Sequence, residues 1–218
     1  MRPTANQLRE LCERRLEKLK LVALLIDGME CARQTLVVAL GVEENGAKHV
    51  LGLWPGATGN ATVAKALLED LVARGLNQER RYLFVLDGSK ALRAAIHKVF
   101  GEEVEVQRCP LHKRRNGKDH LPKPCRGEYD RRLRNAYALS SYPEAQQALE
   151  RRWRQLCAVH PSAARNVKRW RAGDHIARWT TAGLLEAEKK FRQVKGYREL
   201  KELNRILNPE LHSQAQVA

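Results

Sequence analysis

Two aspartates stand out by what precedes them. The stretches "LVALLIDG" (21–28) and "YLFVLDGSKALRAAI" (82–96) each carry an apolar run into an Asp-Gly pair, at Asp27 and at Asp87. Asp-Gly after a strand is ordinary turn chemistry when met alone. Two such carboxylates brought to neighbouring strand ends would suit a hard cation, because Mg²⁺ prefers oxygen ligands and takes one or two protein carboxylates with water and substrate phosphate. Two ions about 4 Å apart could activate the attacking oxygen and stabilise the leaving one in an in-line phosphoryl displacement. The chemistry suggested is therefore Mg²⁺- or Mn²⁺-dependent cutting and joining of nucleic-acid strands.

A second cluster lies in "RCPLHKRRN" (108–116). Cys109 and His112 form a Cys-x-x-His step, half a zinc site by spacing, but the next candidates, His120 and Cys125, match ligand spacings poorly. The other reading packs Cys109 and His112 under a helix start, with Lys113, Arg114 and Arg115 turned toward phosphate. The later stretch "VKRWRAG" adds Lys168, Arg169 and Arg171 as candidate DNA-binding cations. Trp153, Trp170 and Trp179 lie on the same basic segments, where core packing is the first reading and stacking on an unpaired base the second.

For Asp27 and Asp87 to meet, the intervening chain must fold one strand beside the other. "LVALLID", "RQTLVVALGV" and "KHVLGLWPG" read as three consecutive strands, the last two joined through an Asn45-Gly46 turn that suits a hairpin. "TGNATVAKALLEDLVARGL" reads as a helix with an Asn60 or Thr62 cap and a stop at Gly75. "RYLFVLDG" is the fourth strand, Ser89 caps the helix "KALRAAIHKVF", and "EVEVQ" (103–107) is a short fifth strand. The order β-β-β-α-β-α-β predicts an α/β mixed sheet whose fourth strand crosses over to lie beside the first. Four regions follow: a lead-in helix at 1–20, the α/β core at 21–107, a basic all-helical region at 108–205, and a flexible tail at 206–218.

The chain has 218 residues and a formal charge of +15. Nearly the whole excess sits after Gln107; the first half is close to neutral. Such a split points to a polyanion partner, because Lys and Arg that neutralise phosphates release condensed counterions. No apolar run approaches the length of a membrane span, and the charged N-terminus is unlike a signal peptide. Five scattered cysteines without a Cys-x-x-Cys pair predict reduced thiols and a cytoplasmic protein.

With these motifs in place, the chain resembles the mutator-type transposases of bacterial insertion sequences over most of residues 8–205. "LLIDG", "TLVVALGV", "VLGLWPGATGNATVAKALLEDLVARGL", "FVLDGSKALRAAI" and "RCPLHKRRN" each look like that family's catalytic region. The resemblance implies a ribonuclease-H-like fold and an Asp-Asp-Glu triad that uses Mg²⁺ (or Mn²⁺) to cut transposon ends and join them to target DNA. It assigns the first two acids to Asp27 and Asp87, and Cys109 and His112 to the family's Cys-x-x-His. It also implies DNA recombination by a homo-oligomer when active, in a bacterial cytoplasm and associated with the nucleoid.

The third acid departs from the pattern. The family places it in a Thr-Asn-x-Ile-Glu type motif within a helical insertion, whereas "CAVHPSAAR" here joins the flanking segments directly. The expectation is a product shortened at its N-terminus and deleted internally. Among Glu150, Glu186 and Glu188, Glu186 in "AGLLEAEKKF" is the best substitute; its plainer reading is a solvated helix acid paired with Lys189 or Lys190. Without a third carboxylate, activity should be weak or nil. The alternative function is a DNA-binding remnant that keeps the basic helices and loses the chemistry. A doubly wound phosphate-binding domain is set aside because "DGMECA" offers no glycine-rich phosphate loop.

Overall fold

A computed structural model describes residues 2–31, 34–119, 121–148 apart from 122, 140, 142 and 146, and 185–210 apart from 186, 187, 190 and 195. Helix α1 covers Arg2–Glu13, and three strands follow: β1 (Leu21–Cys31), β2 (Gln34–Glu43) and β3 (Lys48–Pro55). Next come α2 (Ala61–Ala73), β4 (Leu83–Leu86), α3 (Lys90–Phe100) and β5 (Glu105–Arg108). Helices α4 (Pro110–Asp119) and α5 (Lys123–Tyr137) complete the second region, and a 3-10 turn at Tyr197–Glu199 leads into α6 (Leu200–Leu207).

The five strands form one sheet in the order β3-β2-β1-β4-β5. β1 pairs antiparallel with β2 and parallel with β4, and β4 pairs parallel with β5. This is the ribonuclease-H-like mixed sheet that the sequence led us to expect, with the crossover through α2 returning the chain beside β1. Gly46, at φ +82°, makes the β2–β3 hairpin turn, where Glu43 N–H donates to Ala47 C=O.

Side-chain alternation divides the sheet into two faces. Leu24, Ile26, Val37, Ala39, Leu51, Phe84 and Leu86 pack with Leu67, Leu68 and Leu71 of α2 and Leu92 and Ile96 of α3. The opposite face carries a smaller cluster of Leu11, Leu36, Val50 and Leu53, against which Leu8, Leu185 and Phe191 pack. The helix starts are those the sequence signals. Asn60 accepts from the N–H groups of Thr62 and Val63, and Ser89 Oγ accepts from Leu92 N–H.

Arg74 ties three elements together although only 6% exposed. Its guanidinium donates to Leu11 C=O at 3.1 Å, to Leu51 C=O at 2.7 Å and to Asp70 Oδ2 at 2.7 Å. A buried cation is tolerable there because each donor has an acceptor.

Several boundaries differ from those read in the sequence. β1 runs past Asp27 to Cys31, because β2 continues to pair with it as far as Gln34. β5 spans 105–108 and so takes in Arg108. α1 ends at Glu13, short of residue 20. Packed structure also continues beyond 206: Asn208 is fully buried and brackets the Arg81 backbone, accepting from its N–H at 2.8 Å and donating to its C=O at 3.1 Å.

The chain divides into two compact units, Met1–Arg108 with Trp170–Ala218, and Cys109–Arg169. Within the second, α4 and α5 are joined by an Arg114–Asp130 ion pair at 3.0 Å, and Gly117 leaves room for the Tyr129 hydroxyl, which would lie 1.9 Å from any Cβ there. Burial pushes the Tyr129 phenol above its ordinary pKa.

Candidate active site

Parallel pairing of β1 with β4 ends at the partners Ile26 and Leu86. Asp27 and Asp87 are the next residues on two neighbouring strands whose spacing is about 4.8 Å. Ile26 faces α2 and α3, so alternation turns Asp27, inside β1, toward the opposite face, whereas Asp87 lies in a bend just past the end of β4. The sequence expected two strand-end turns, and one of them is not a turn. Asp27 lies inside β1, still paired with Val38 on its β2 side, while on its β4 side the ladder has just ended. Asp27 is exposed, between Leu25 and Met29, each 36% exposed on the same face.

Asp87 is held more closely. Thr58 Oγ1–H donates to Asp87 Oδ2 at 2.6 Å, and Ser89 N–H donates to Oδ1 at 2.8 Å. Ser89 Oγ–H in turn donates to Thr58 C=O at 2.5 Å. Thr58 was missed in the sequence because "GATGN" reads as a loop ahead of a helix cap. Nothing local shows that the β3–α2 connection reaches the end of β4.

Arg108 was missed for a similar reason. It pairs in register with Leu86, one residue before Asp87, and its exposed side chain folds over Gly88. A Cβ on Gly88 would come within 2.7 Å of Arg108 Nε, and Gly88 has φ +109°. The positive φ favours glycine there, while the exposed end of Arg108 can shift to admit a Cβ. A cation thus stands at the same sheet end as the two carboxylates. Its sequence signal was its place at the head of the basic motif "RCPLHKRRN".

The other sequence candidates separate from this pair. Glu188 accepts from Arg14 Nη1 at 2.9 Å and from the Val50 N–H at 2.9 Å, with His49 Nδ1 3.6 Å away. It fastens β3 to Arg14. Glu186, Glu150, Lys168, Arg169, Arg171, Trp153, Trp170 and Trp179 lie outside the described residues. Among the described residues no group of three or more His, Cys, Asp or Glu side chains is placed to hold a metal ion. Cys109 and His112 therefore have no such set there, and Cys109 C=O accepts from Lys113 N–H in the first turn of α4. Lys113 and Arg115 are exposed, whereas Arg114 is engaged with Asp130.

Comparison with known proteins bears on this arrangement. Residues 3–181 match the family described as transposase, mutator family. The chain belongs to that family. It is 29% identical over 143 residues to the transposase for insertion sequence element IST2 of Acidithiobacillus ferrooxidans, covering 66% of this chain and 48% of that protein. It is 27% identical over 124 residues to a probable insertion-sequence transposase of Corynebacterium diphtheriae, covering 57% of this chain and 35% of that one. A third relative, the transposase for IS1201 of Lactobacillus helveticus, is 32% identical over 84 residues, 38% of this chain and 22% of its own. This mutator-family chain thus matches less than half the length of each of these relatives. The crystal structure of the catalytic domain of Mos1 mariner transposase covers 86% of the chain and is itself 89% covered, at 15% identity and a TM-score of 0.27. The fold assignment rests on strand order and sense. Among the described residues, no helix is long and apolar enough to cross a membrane.

Proposed function

We propose that Asp27 and Asp87 are the metal-binding carboxylates of a DNA strand-cleavage and strand-transfer site, of the kind that moves insertion sequences. The observation supporting this reading is the β1–β4 register, which pairs Ile26 with Leu86, the residues just before two aspartates that lie 60 positions apart in the sequence. Their donor set fits Mg²⁺ or Mn²⁺: two carboxylates offering oxygen, Asp27 exposed and Asp87 half-buried, which water and substrate phosphate would complete. Bound there, the ion would supply charge stabilisation and activation of the attacking oxygen in phosphoryl displacement.

The chain's own residues would do the rest. Asp27 and Asp87 bind from adjacent strands, Ser89 N–H and Thr58 Oγ1–H fix the Asp87 carboxylate, and Arg108 presents a cation to a phosphate at the sheet end. Lys113 and Arg115, exposed on α4, add sequence-independent attraction for the DNA backbone. Glu186 remains the proposed third acid. The DNA would be transposon ends and target, and the acting form a homo-oligomer in the cytoplasm.

A second reading has one observation in its favour. Glu188 is taken up in fastening β3, and no described acid joins the aspartate pair. The chain would then bind DNA without cutting it. Incubation with Mn²⁺ or Mg²⁺ and DNA carrying the element's ends separates the two. Cleavage lost in both Asp27→Ala and Asp87→Ala supports the enzyme; salt-sensitive binding without cleavage supports the remnant.

A further inference from the structure

We infer that Thr58 is a positioning residue that presets the Asp87 carboxylate for the metal beside the Asp27-Gly28 step of β1; this rests on the two-aspartate reading above. Thr58 is a buried polar residue, 8% exposed, in the β3–α2 connection, and its contacts form a closed circuit. Its hydroxyl donates to Asp87 Oδ2, the other oxygen of that carboxylate accepts from Ser89 N–H, and the Ser89 hydroxyl returns to the Thr58 carbonyl. Ser89 is meanwhile the N-cap of α3, accepting from Leu92 N–H at 3.2 Å, so the circuit is anchored to a helix. On its other side, the Thr58 methyl lies 3.6 Å from where a Gly28 Cβ would stand, next to Asp27 in the chain. One side chain therefore bonds Asp87 and lies beside the Asp27-Gly28 step.

The physical consequence concerns lone pairs. Each carboxylate oxygen offers two acceptor positions, and the circuit occupies one on each oxygen of Asp87. Rotation about the carboxylate is thereby restrained while one acceptor position per oxygen is left for a cation. Without the Thr58 hydroxyl, only Ser89 N–H holds the group, and a cation must fix its orientation at the moment of binding. Such supporting hydrogen bonds tune the affinity of the ligands they orient.

The test uses the full chain and Mn²⁺ alone, with affinity read from water-proton relaxation and folding from circular dichroism. Thr58→Val, which keeps the shape and removes the donor, weakens Mn²⁺ binding by about 10-fold or more, and Thr58→Ser recovers most of the loss. Thr58→Ala replaces the valine variant should valine fail to fold. Wild-type Mn²⁺ affinity in a folded Thr58→Val or Thr58→Ala, or a Thr58→Ser as weak as either, overturns the inference. Asp27→Ala and Asp87→Ala are titrated alongside. If they too bind Mn²⁺ as the wild type does, the two-aspartate reading itself fails, and this inference falls with it.

Discussion

Replacing Glu188 by alanine should unfasten β3 without touching Asp27 and Asp87, the residues proposed to bind metal. The Glu188 carboxylate accepts from the N–H of Val50, a residue with no exposed surface, where the pairing of β3 with β2 is irregular and shifts register. Losing that acceptor strands a buried donor, at a cost of about 1–3 kcal/mol. The same carboxylate takes both terminal nitrogens of Arg14, at 2.9 and 3.3 Å. That side chain is 32% exposed, so screening reduces the pair to about 1 kcal/mol. Arg14 keeps its bond to Val50 C=O at 3.0 Å, which limits the damage. The total is about 2–4 kcal/mol, or roughly 1–2 M off the urea midpoint at typical slopes. Glu188→Gln keeps an amide oxygen for Val50 and should lose only about 1 kcal/mol. Urea unfolding followed by circular dichroism measures both, with Mn²⁺ titration alongside. A Glu188→Ala variant as stable as the wild type but unable to bind Mn²⁺ would refute the argument and make Glu188 the missing third ligand.

Other consequences can be checked in the same way. Arg74→Met leaves the carbonyls of Leu11 and Leu51 without their donor and should cost about 3–5 kcal/mol in a urea titration. Gly88→Ala forces a Cβ onto φ +109° beside Arg108, and should lower stability by about 1–2 kcal/mol in the same assay. Tyr82, 3% exposed and edge-on to Phe84 and Phe100, has its phenol pushed up to about 12 by burial. Because the folded value lies above the unfolded one, its contribution to stability is whole below about pH 10 and is lost as pH rises toward 12. A tyrosinate absorbance titration compared with Tyr82→Phe should show this residue ionising last; ionisation near pH 10 would contradict its burial. Removing Lys113 and Arg115 together should flatten the salt dependence of DNA binding by about two phosphate contacts' worth, whereas Arg114→Ala should act on α4–α5 stability instead.

Much of this molecule was legible before folding. Strand, helix and turn positions followed from the spacing of apolar residues and from caps such as Asn60 and Ser89, because those signals are local and act within a few residues of one another. The parallel pairing of β1 with β4 was also within reach, since three meandering strands and a helix leave few right-handed ways back. Tertiary structure alone decided the rest. That Asp27 sits inside a strand depends on how far β2 keeps pairing with β1, a matter settled across the sheet. Thr58 and Arg108 acquire meaning only when a loop after β3 and the end of β5 arrive beside Asp87. Glu188 looks in the sequence like any helix acid; only a strand 138 residues away, with one N–H in need of an acceptor, gives it a structural role. Local preference reaches about one helical turn or one hairpin, whereas the surroundings of Asp87, drawn from the β3–α2 connection and the ends of β4 and β5, depend on contacts between residues remote in sequence.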